Sequence, residues 1–464
     1  MNIDRTSPAH ALLLGDCAEQ MRGLSGGCVD AIVTDPPYGI AFMGAKWDNF
    51  GGKSCGNDSA EVRRQKAEEY AAKNTGAPRY ANGHGGAPTL DSMRSFQSYM
   101  TPIFAEALRV AKPGAHLLAF GGTRTYHRLA CAIEDAGWEI RDCIMWVYGS
   151  GFPKSMDVSK AINKAMGAER TEVVGTRHRN VKPYDDGNGW NANNTTGDYQ
   201  YMAPATPEAA AWQGFGTQLK PAVEPIVVAR KPLEGTVAAN ILKYGTGAIN
   251  IDGCRVATDD NLNGGAYSKN GNRNNLPGDG RDEKGAGMFA SGKTTEKDFV
   301  QPLGRFPANL IHDGSPEVLA CFPESKGQCG AVKGTEPSRT GSNGIYGNYN
   351  GQNTMSPRGD TGSAARFFYC AKASRSERGE GNVHPTVKPI ALMRYLVRLV
   401  TRKGGIVLDP FMGSGTTGVA AINEGMKFVG IERDPQYYDI ASRRVNDAKP
   451  IPPTTTQQEL PLCE

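Results

Sequence analysis

The stretch VLDPFMGSGTTG, residues 407–418, decides how this chain folds. It starts as an apolar strand, breaks at glycines and opens a helix at Thr416. Gly413, Gly415 and Gly418 satisfy G-x-G-x-x-G. The strand KFVGIE follows, and Glu432 ends it about 20 residues after the turn, where an acid can grip ribose hydroxyls. Strand, turn, helix, strand and acid in this order describe part of a doubly wound α/β sheet with a nucleoside-containing cofactor over its glycine turn. A tight strand-to-helix turn with no ligand has the same local sequence. The glycines alone suit NAD as well as S-adenosylmethionine. A pyrophosphate wants an anion site at the helix N-terminus, whereas the sulfonium and amino-acid end of S-adenosylmethionine suit a nearby acid such as Asp409. DPF before the glycines therefore favours the methyl donor, although Asp409 can also serve as a turn cap.

Outward from this turn the last eighty residues continue the pattern. A helix is expected from Pro389 to about Lys403, then the strand GIVLDP, the helix at Thr416, KFVGIE, and a helix from about Pro435. The first third alternates in the same way: HALLLGD, CVDAIVTD, an amphipathic helix over 101–111, HLLAFGG, a helix over 126–136, and WEIRDCIMWVYG. Such alternation predicts a parallel α/β sheet to which both ends of the chain contribute. Between them, runs such as NLNGGAYSKNGNRNNLPGDG hold too much Gly and Asn to pack a core. Ordered pieces, LKPAVEPIVVARKP and RFPANLIHD, sit among these runs. The expected division is 1–165 with a mobile loop at 54–95, a substrate-reading insertion at 166–364, 365–447, and a disordered tail at 448–464.

Composition narrows the class. The chain has 464 residues, more than one typical core, with 39% hydrophobic residues and a net charge of +4. No apolar run reaches the length of a membrane span and the start lacks a signal-peptide pattern, so a soluble, cytoplasmic protein is expected. Ten cysteines occur with no C-x-x-C pair, which signals neither a zinc cluster nor a disulfide framework, and no metal is expected.

The tetrapeptide Asp35, Pro36, Pro37, Tyr38 follows the strand AIVT, at the end of the sheet where ligands collect. Proline has no N–H to donate, yet its carbonyl accepts, and two in succession stiffen the turn. With the Asp35 carboxylate alongside, the turn offers acceptors only. That matches a planar exocyclic amine with two protons, while Tyr38 offers a face on which its base can stack. Polarising both protons concentrates electron density on a nitrogen otherwise delocalised into its ring, which suits methyl transfer to that nitrogen. A target inside a duplex has to be extruded first. A Pro-Pro turn with a satisfied aspartate is the structural alternative.

DPPY with DPFMGSGTT resembles the DNA amino-methyltransferases, which methylate adenine N6 or cytosine N4 with S-adenosylmethionine. The tetrapeptide comes early and the cofactor turn late, which resembles the permuted beta class. Gly15–Asp16 and HPTVKP (384–389) match that class's further motifs. The resemblance covers about 1–165 and 365–447. It implies a circularly permuted, doubly wound Rossmann-like methyltransferase sheet with a large central target-recognition insertion, the catalytic half at 1–165 and the cofactor half at 365–447. It implies that Asp35 and the Pro36 carbonyl hold the target amine, that Pro37 keeps the turn rigid and that Tyr38 stacks on the flipped base. Glu432 is implied to bind the ribose and Asp16 the cofactor's adenine amine, the latter being an ordinary strand-end aspartate on the other reading. Asp409, Pro410, Phe411, Gly413, Ser414, Gly415 and Thr416 are implied to floor the pocket, with Thr386, Lys388 and Pro389 bordering the methionine end. An aspartate in the first position favours adenine, so the expected activity is a site-specific DNA adenine methyltransferase. Cytosine N4 is the alternative; an NAD oxidoreductase and a non-catalytic DNA-binding regulator are more remote ones.

For the partner, double-stranded DNA, residues 366–403 carry nine Lys or Arg against two acids, among them Arg366, Lys372 and Arg375. Phosphate contact and a solvated stripe formed by Arg394, Arg398 and Arg402 both explain this. WVYGSGFPKS, with Phe152 and Lys154, reads as a DNA-facing loop or a packed hairpin. Trp47 can close over an extruded base or pack in the core. The resemblance also implies a homodimer, and a bacterial or phage-encoded, nucleoid-associated protein in a restriction system, an orphan role or a prophage.

Overall fold

Asp30 and Ile406 stand 376 positions apart, yet the Ile406 N–H donates to the Asp30 carboxylate at 2.8 Å. The computed structural model that contains this bond describes residues 9–40, 90–151, 155–179, 197–258, 303–325, 342–343, 347–348, 362–371, 377, 382, 384 and 386–451. These fall into two compact units, one drawn from Met1–Tyr38, Arg94–Tyr148 and Glu224–Glu464, the other from Gly39–Met93 and Gly149–Val223.

The first unit is built on a nine-stranded sheet. Its strands are β1 (His10–Leu14), β2 (Val29–Thr34), β3 (Ala111–Phe120), β4 (Glu139–Val147), β5 (Val223–Arg230), β6 (Leu310–His312), β7 (Tyr369–Cys370), β8 (Ile406–Asp409) and β9 (Lys427–Glu432), in the spatial order β1-β9-β8-β2-β3-β5-β4-β6-β7. Every residue of β2 and β8 is buried. Strands in the middle of a parallel sheet covered on both faces read as continuous apolar runs, as these do. The expectation that both ends of the chain build one sheet holds: β1 pairs with β9, β9 with β8, and β8 with β2, all parallel. The sheet is mixed, however, because β5 runs antiparallel to β3.

Helices α1 (Cys17–Arg22), α2 (Leu90–Val110), α3 (Tyr126–Asp135), α4 (Val237–Tyr244), α5 (Ile390–Val400), α6 (Thr416–Asn423) and α7 (Pro435–Asp447) complete this architecture. α5 buries Leu392, Met393, Leu396, Val397 and Val400, and α6 is buried on all sides. α2 starts eleven residues before the expected helix and includes Pro102.

Two boundaries need correction. β5 and β6 come from within 166–364, the stretch expected as one insertion, because VEPIVVAR and LIH are apolar enough to be buried and the sheet takes them in. The expected tail begins with order: Asn423 donates to the Lys449 carbonyl at 2.7 Å, and the Ile451 N–H donates back to the Asn423 carbonyl. Residues 452–464 and most of the loop expected at 54–95 lie outside the described residues.

The second unit contains a helix, Val158–Ala165, capped by Asp157, an antiparallel pair of strands, Val173–Arg179 and Gly197–Met202, and a short helix, Pro207–Ala211. Among the described residues no helix is long and apolar enough to cross a membrane.

Candidate active site

The register Val407↔Ala31 and Leu408↔Ile32 carries β8 and β2 to the same sheet end. Asp409 and Asp35 leave the sheet there side by side. Thr34 donates its hydroxyl to Asp409 Oδ1 at 2.6 Å, which ties the start of the glycine turn to the residue before the tetrapeptide across 375 positions. Thr417 donates to Asp409 Oδ2 at 2.6 Å and the Phe411 N–H to Oδ1 at 3.0 Å. All of these donors converge on one buried carboxylate. Asp409 is therefore engaged as a brace between β2, the turn and α6, the capping alternative that its position left open. Burial pushes its carboxyl up to about 6, against the pull of the two hydroxyls.

The turn itself requires glycine. Gly413 and Gly415 have φ of 50° and 78°, where a side chain is strained. A Cβ at Gly418 would lie 2.6 Å from the Phe428 ring, so the third glycine lets α6 press on β9. Glu432 holds the turn from the next strand: Oε2 accepts from the Gly413 N–H at 2.9 Å, while Oε1 accepts from the N–H groups of Arg433 and Asp434. Burial raises its carboxyl above the ordinary range. Asp16 caps α1, accepting from the N–H groups of Ala18 and Glu19, and the neighbouring Gly15 N–H donates to the Glu432 carbonyl at 2.8 Å. Asp16, Glu432 and Gly413 thus share one rim. Ser414 and Thr416 face Arg444, which donates to the Ser414 carbonyl and to both hydroxyls. No motif pointed to Arg444, which comes from α7 well past the turn.

The tetrapeptide forms a second cluster. Tyr38 donates its hydroxyl toward Asp35 Oδ1 at 2.9 Å and lies 3.2 Å from Glu224 Oε2. Its ring rests on Gly122, where a Cβ would come within 3.1 Å. Lys388, expected beside the cofactor, directs its ammonium here instead: Nζ is 2.8 Å from Asp35 Oδ2, 3.1 Å from Glu224 Oε2 and 3.2 Å from the Tyr38 hydroxyl. The ammonium also lies 4.8 Å above the Phe120 ring. Burial works against its charge, but the two carboxylates outweigh this and hold it above the ordinary lysine range. Burial, then Asp35 and Glu224, push the Tyr38 hydroxyl well up, so it stays protonated. Pro36 is buried, and Pro37 half-buried, between these groups.

The HPTVKP segment spans both clusters. His384 sits against the turn, 2.8 Å from where a Gly413 Cβ would be, and stacks edge-on against Tyr437 at 4.5 Å. Its Nδ1 lies 2.8 Å from the Thr386 carbonyl. Pro389 stands as the N-cap of α5. Glu224 was missed because it is the second residue of β5, a strand from the middle of the chain; an acid set directly before PIVVA, an apolar run, is the signal that could have found it.

The candidate DNA contacts fare differently. Trp47, Phe152, Lys154, Lys372 and Arg375 lie outside the described residues. Arg366 donates to the Gly362 and Ser363 carbonyls and lies over the Phe367 ring. Arg394 and Arg398 clamp Glu424 at 2.6–2.7 Å, which corrects the reading of these two as part of a phosphate-binding or solvated stripe, whereas Arg402 is exposed.

A family model described as DNA methylase, of the N6/N4 type, matches residues 29–443. Over 62 residues, 13% of this chain, the sequence is 47% identical to the type II methyltransferase M.BglI of Bacillus subtilis. Over 72 residues, 16% of this chain, it is 43% identical to M2.LlaDCHI of Lactococcus lactis subsp. cremoris. The matched segments span only 18% and 26% of those relatives' lengths. Among solved structures, the M1.HpyAVI–SAM complex aligns with 94% of this chain and 99% of its own at 15% identity and a TM-score of 0.34.

Proposed function

Since the chain belongs to the N6/N4 DNA methylase family, whose cofactor is S-adenosylmethionine, we propose that it methylates the N6 amino group of adenine in double-stranded DNA, site-specifically and after extrusion of the base. The observation that carries this reading is the Thr34–Asp409 bond: it fixes an acceptor-only turn beside a glycine turn at one sheet end. When bound, S-adenosylmethionine supplies an electrophilic methyl group. The residues present suit it: half-buried Glu432 shares one rim with the glycine turn and offers a carboxylate there for ribose hydroxyls. Asp16 is the candidate for the adenine amine, and His384 for the border of the methionine end, with Thr386 and Pro389 shaping that border. Gly413, Ser414, Gly415 and Thr416, with Pro410 and Phe411, form the floor. Asp409 positions that floor rather than touching the cofactor.

On the substrate side, Asp35 and the Pro36 carbonyl accept the two protons of the amine and keep its nitrogen lone pair available, Pro37 fixes the direction of that carbonyl, and Tyr38 stacks on the base. The early tetrapeptide and late cofactor turn support a permuted arrangement of the methyltransferase sheet, with 1–165 and 365–447 as its halves and target recognition within 166–364. The resemblance to the beta class supports a homodimer. Arg366 and the residues outside the described part, Trp47, Phe152, Lys154, Lys372 and Arg375, remain the candidate DNA contacts. The test is nucleoside mass spectrometry of DNA from cells expressing the protein, with mapping of modified positions. N6-methyladenine at one sequence context is expected, N4-methylcytosine would move the assignment to the other base, and unmodified DNA would overturn the reading.

A further inference from the structure

Glu224 belongs to none of the motifs, yet it completes the tetrapeptide cluster. The Lys388 ammonium has three protons and meets three acceptors: Asp35 Oδ2 at 2.8 Å, Glu224 Oε2 at 3.1 Å and the Tyr38 hydroxyl at 3.2 Å. Asp35 is engaged on both oxygens, by Lys388 on Oδ2 and by Tyr38 on Oδ1. The carboxylate assigned to the target amine is thus already held by the chain's own nitrogen donor. A charged donor binds a carboxylate more strongly than a neutral amine does, so an incoming base would compete poorly if Asp35 were the sole counter-ion of Lys388. Nor can the ammonium simply withdraw. It is buried among Phe120 and Tyr38, where a stranded charge is strongly disfavoured.

Glu224 resolves this competition. It is fixed near the start of β5 and lies within bonding distance of the ammonium. We propose that Lys388 stoppers the amine clamp in the resting enzyme and that Glu224 takes the ammonium over when the target base engages Asp35. Glu224 is then a positioning residue that acts through Lys388. The ammonium stays paired throughout: Lys388 keeps one carboxylate, while Asp35 exchanges an ammonium for hydrogen bonds from the amine.

This inference rests on the methyl-transfer reading and is tested separately from it, on duplexes that keep the mapped target base and carry beside it a fluorescent base analogue that brightens when its neighbour is extruded. Glu224→Gln is expected to lower the fluorescence rise and the single-turnover methylation rate by about 10-fold or more, the order of losing one charge-assisted contact, with S-adenosylmethionine affinity unchanged as the control for folding. Adding Lys388→Met to Glu224→Gln is expected to restore base extrusion, because the stopper is gone. Parent-like extrusion in Glu224→Gln, or no recovery in the double variant, overturns the stopper. A parent protein that methylates no DNA overturns the methyl-transfer reading instead.

Discussion

Asp409 and His116 are buried in the same unit and titrate with opposite consequences. Burial pushes the Asp409 carboxyl from 3.8 up to about 6, so the native state holds a proton more readily than the unfolded chain. Its contribution to stability is complete below the unfolded value and is lost as pH rises through 6. His116, in β3, is pushed from 6.5 down to about 4 by burial and then by Arg230 and Arg141. Its contribution is complete above 6.5 and is lost as pH falls through 4. Each shift corresponds to about 3 kcal/mol, and the slopes oppose over one window. Urea unfolding between pH 4 and 7 is expected to show Asp409→Asn gaining stability with rising pH relative to the parent, and His116→Asn losing it; parallel curves would contradict the burial argument. At this scale the sequence named Asp35, Tyr38, Asp16 and Glu432 through their motifs. It was silent on Glu224 and Arg444, which reach their clusters only through tertiary contacts.

At the scale of elements, the strands and helices flanking the two motifs were legible, because apolar runs and helical periodicity report burial directly. What an element packs against was less so. Arg394 and Arg398 repeat at a spacing of four, the pattern of a solvated or phosphate-binding face, yet their partner Glu424 sits just past α6, 26 and 30 residues away. Glu424→Ala is expected to lower stability by about 2 kcal/mol, less than a fully buried pair because both arginines keep some contact with water. Arg398→Ala should leave the salt dependence of DNA binding as in the parent; a shallower slope would return this face to phosphate contact. Gly418→Ala tests the contact between α6 and β9. Alanine favours helix by about 1 kcal/mol, but a Cβ 2.6 Å from Phe428 forces overpacking that costs about 1–3 kcal/mol, so net destabilisation is expected in denaturant titration.

At the scale of the whole molecule, strand order does what neither motif does alone. β8 beside β2 joins the two ends of the chain, and the alternation of strands and helices at both ends foretold a shared sheet. Recruitment of β5 and β6 into that sheet was hidden by the Gly- and Asn-rich runs around them, which made their apolar segments look like islands in an insertion. The antiparallel β5 brings Glu224 to the tetrapeptide, so the sheet supplies part of the site from sequence that looked dispensable to it. The central claim is that amine clamp and cofactor turn are separate devices held at one sheet end. The most direct measurement is calorimetric titration of S-adenosylmethionine, paired with transfer of labelled methyl to DNA, for the parent, Asp35→Ala and Glu432→Ala. The account predicts that Asp35→Ala binds the cofactor as the parent does and loses transfer by ~10²-fold or more, while Glu432→Ala loses binding. Transfer that survives Asp35→Ala, or cofactor binding abolished by it, would contradict the account.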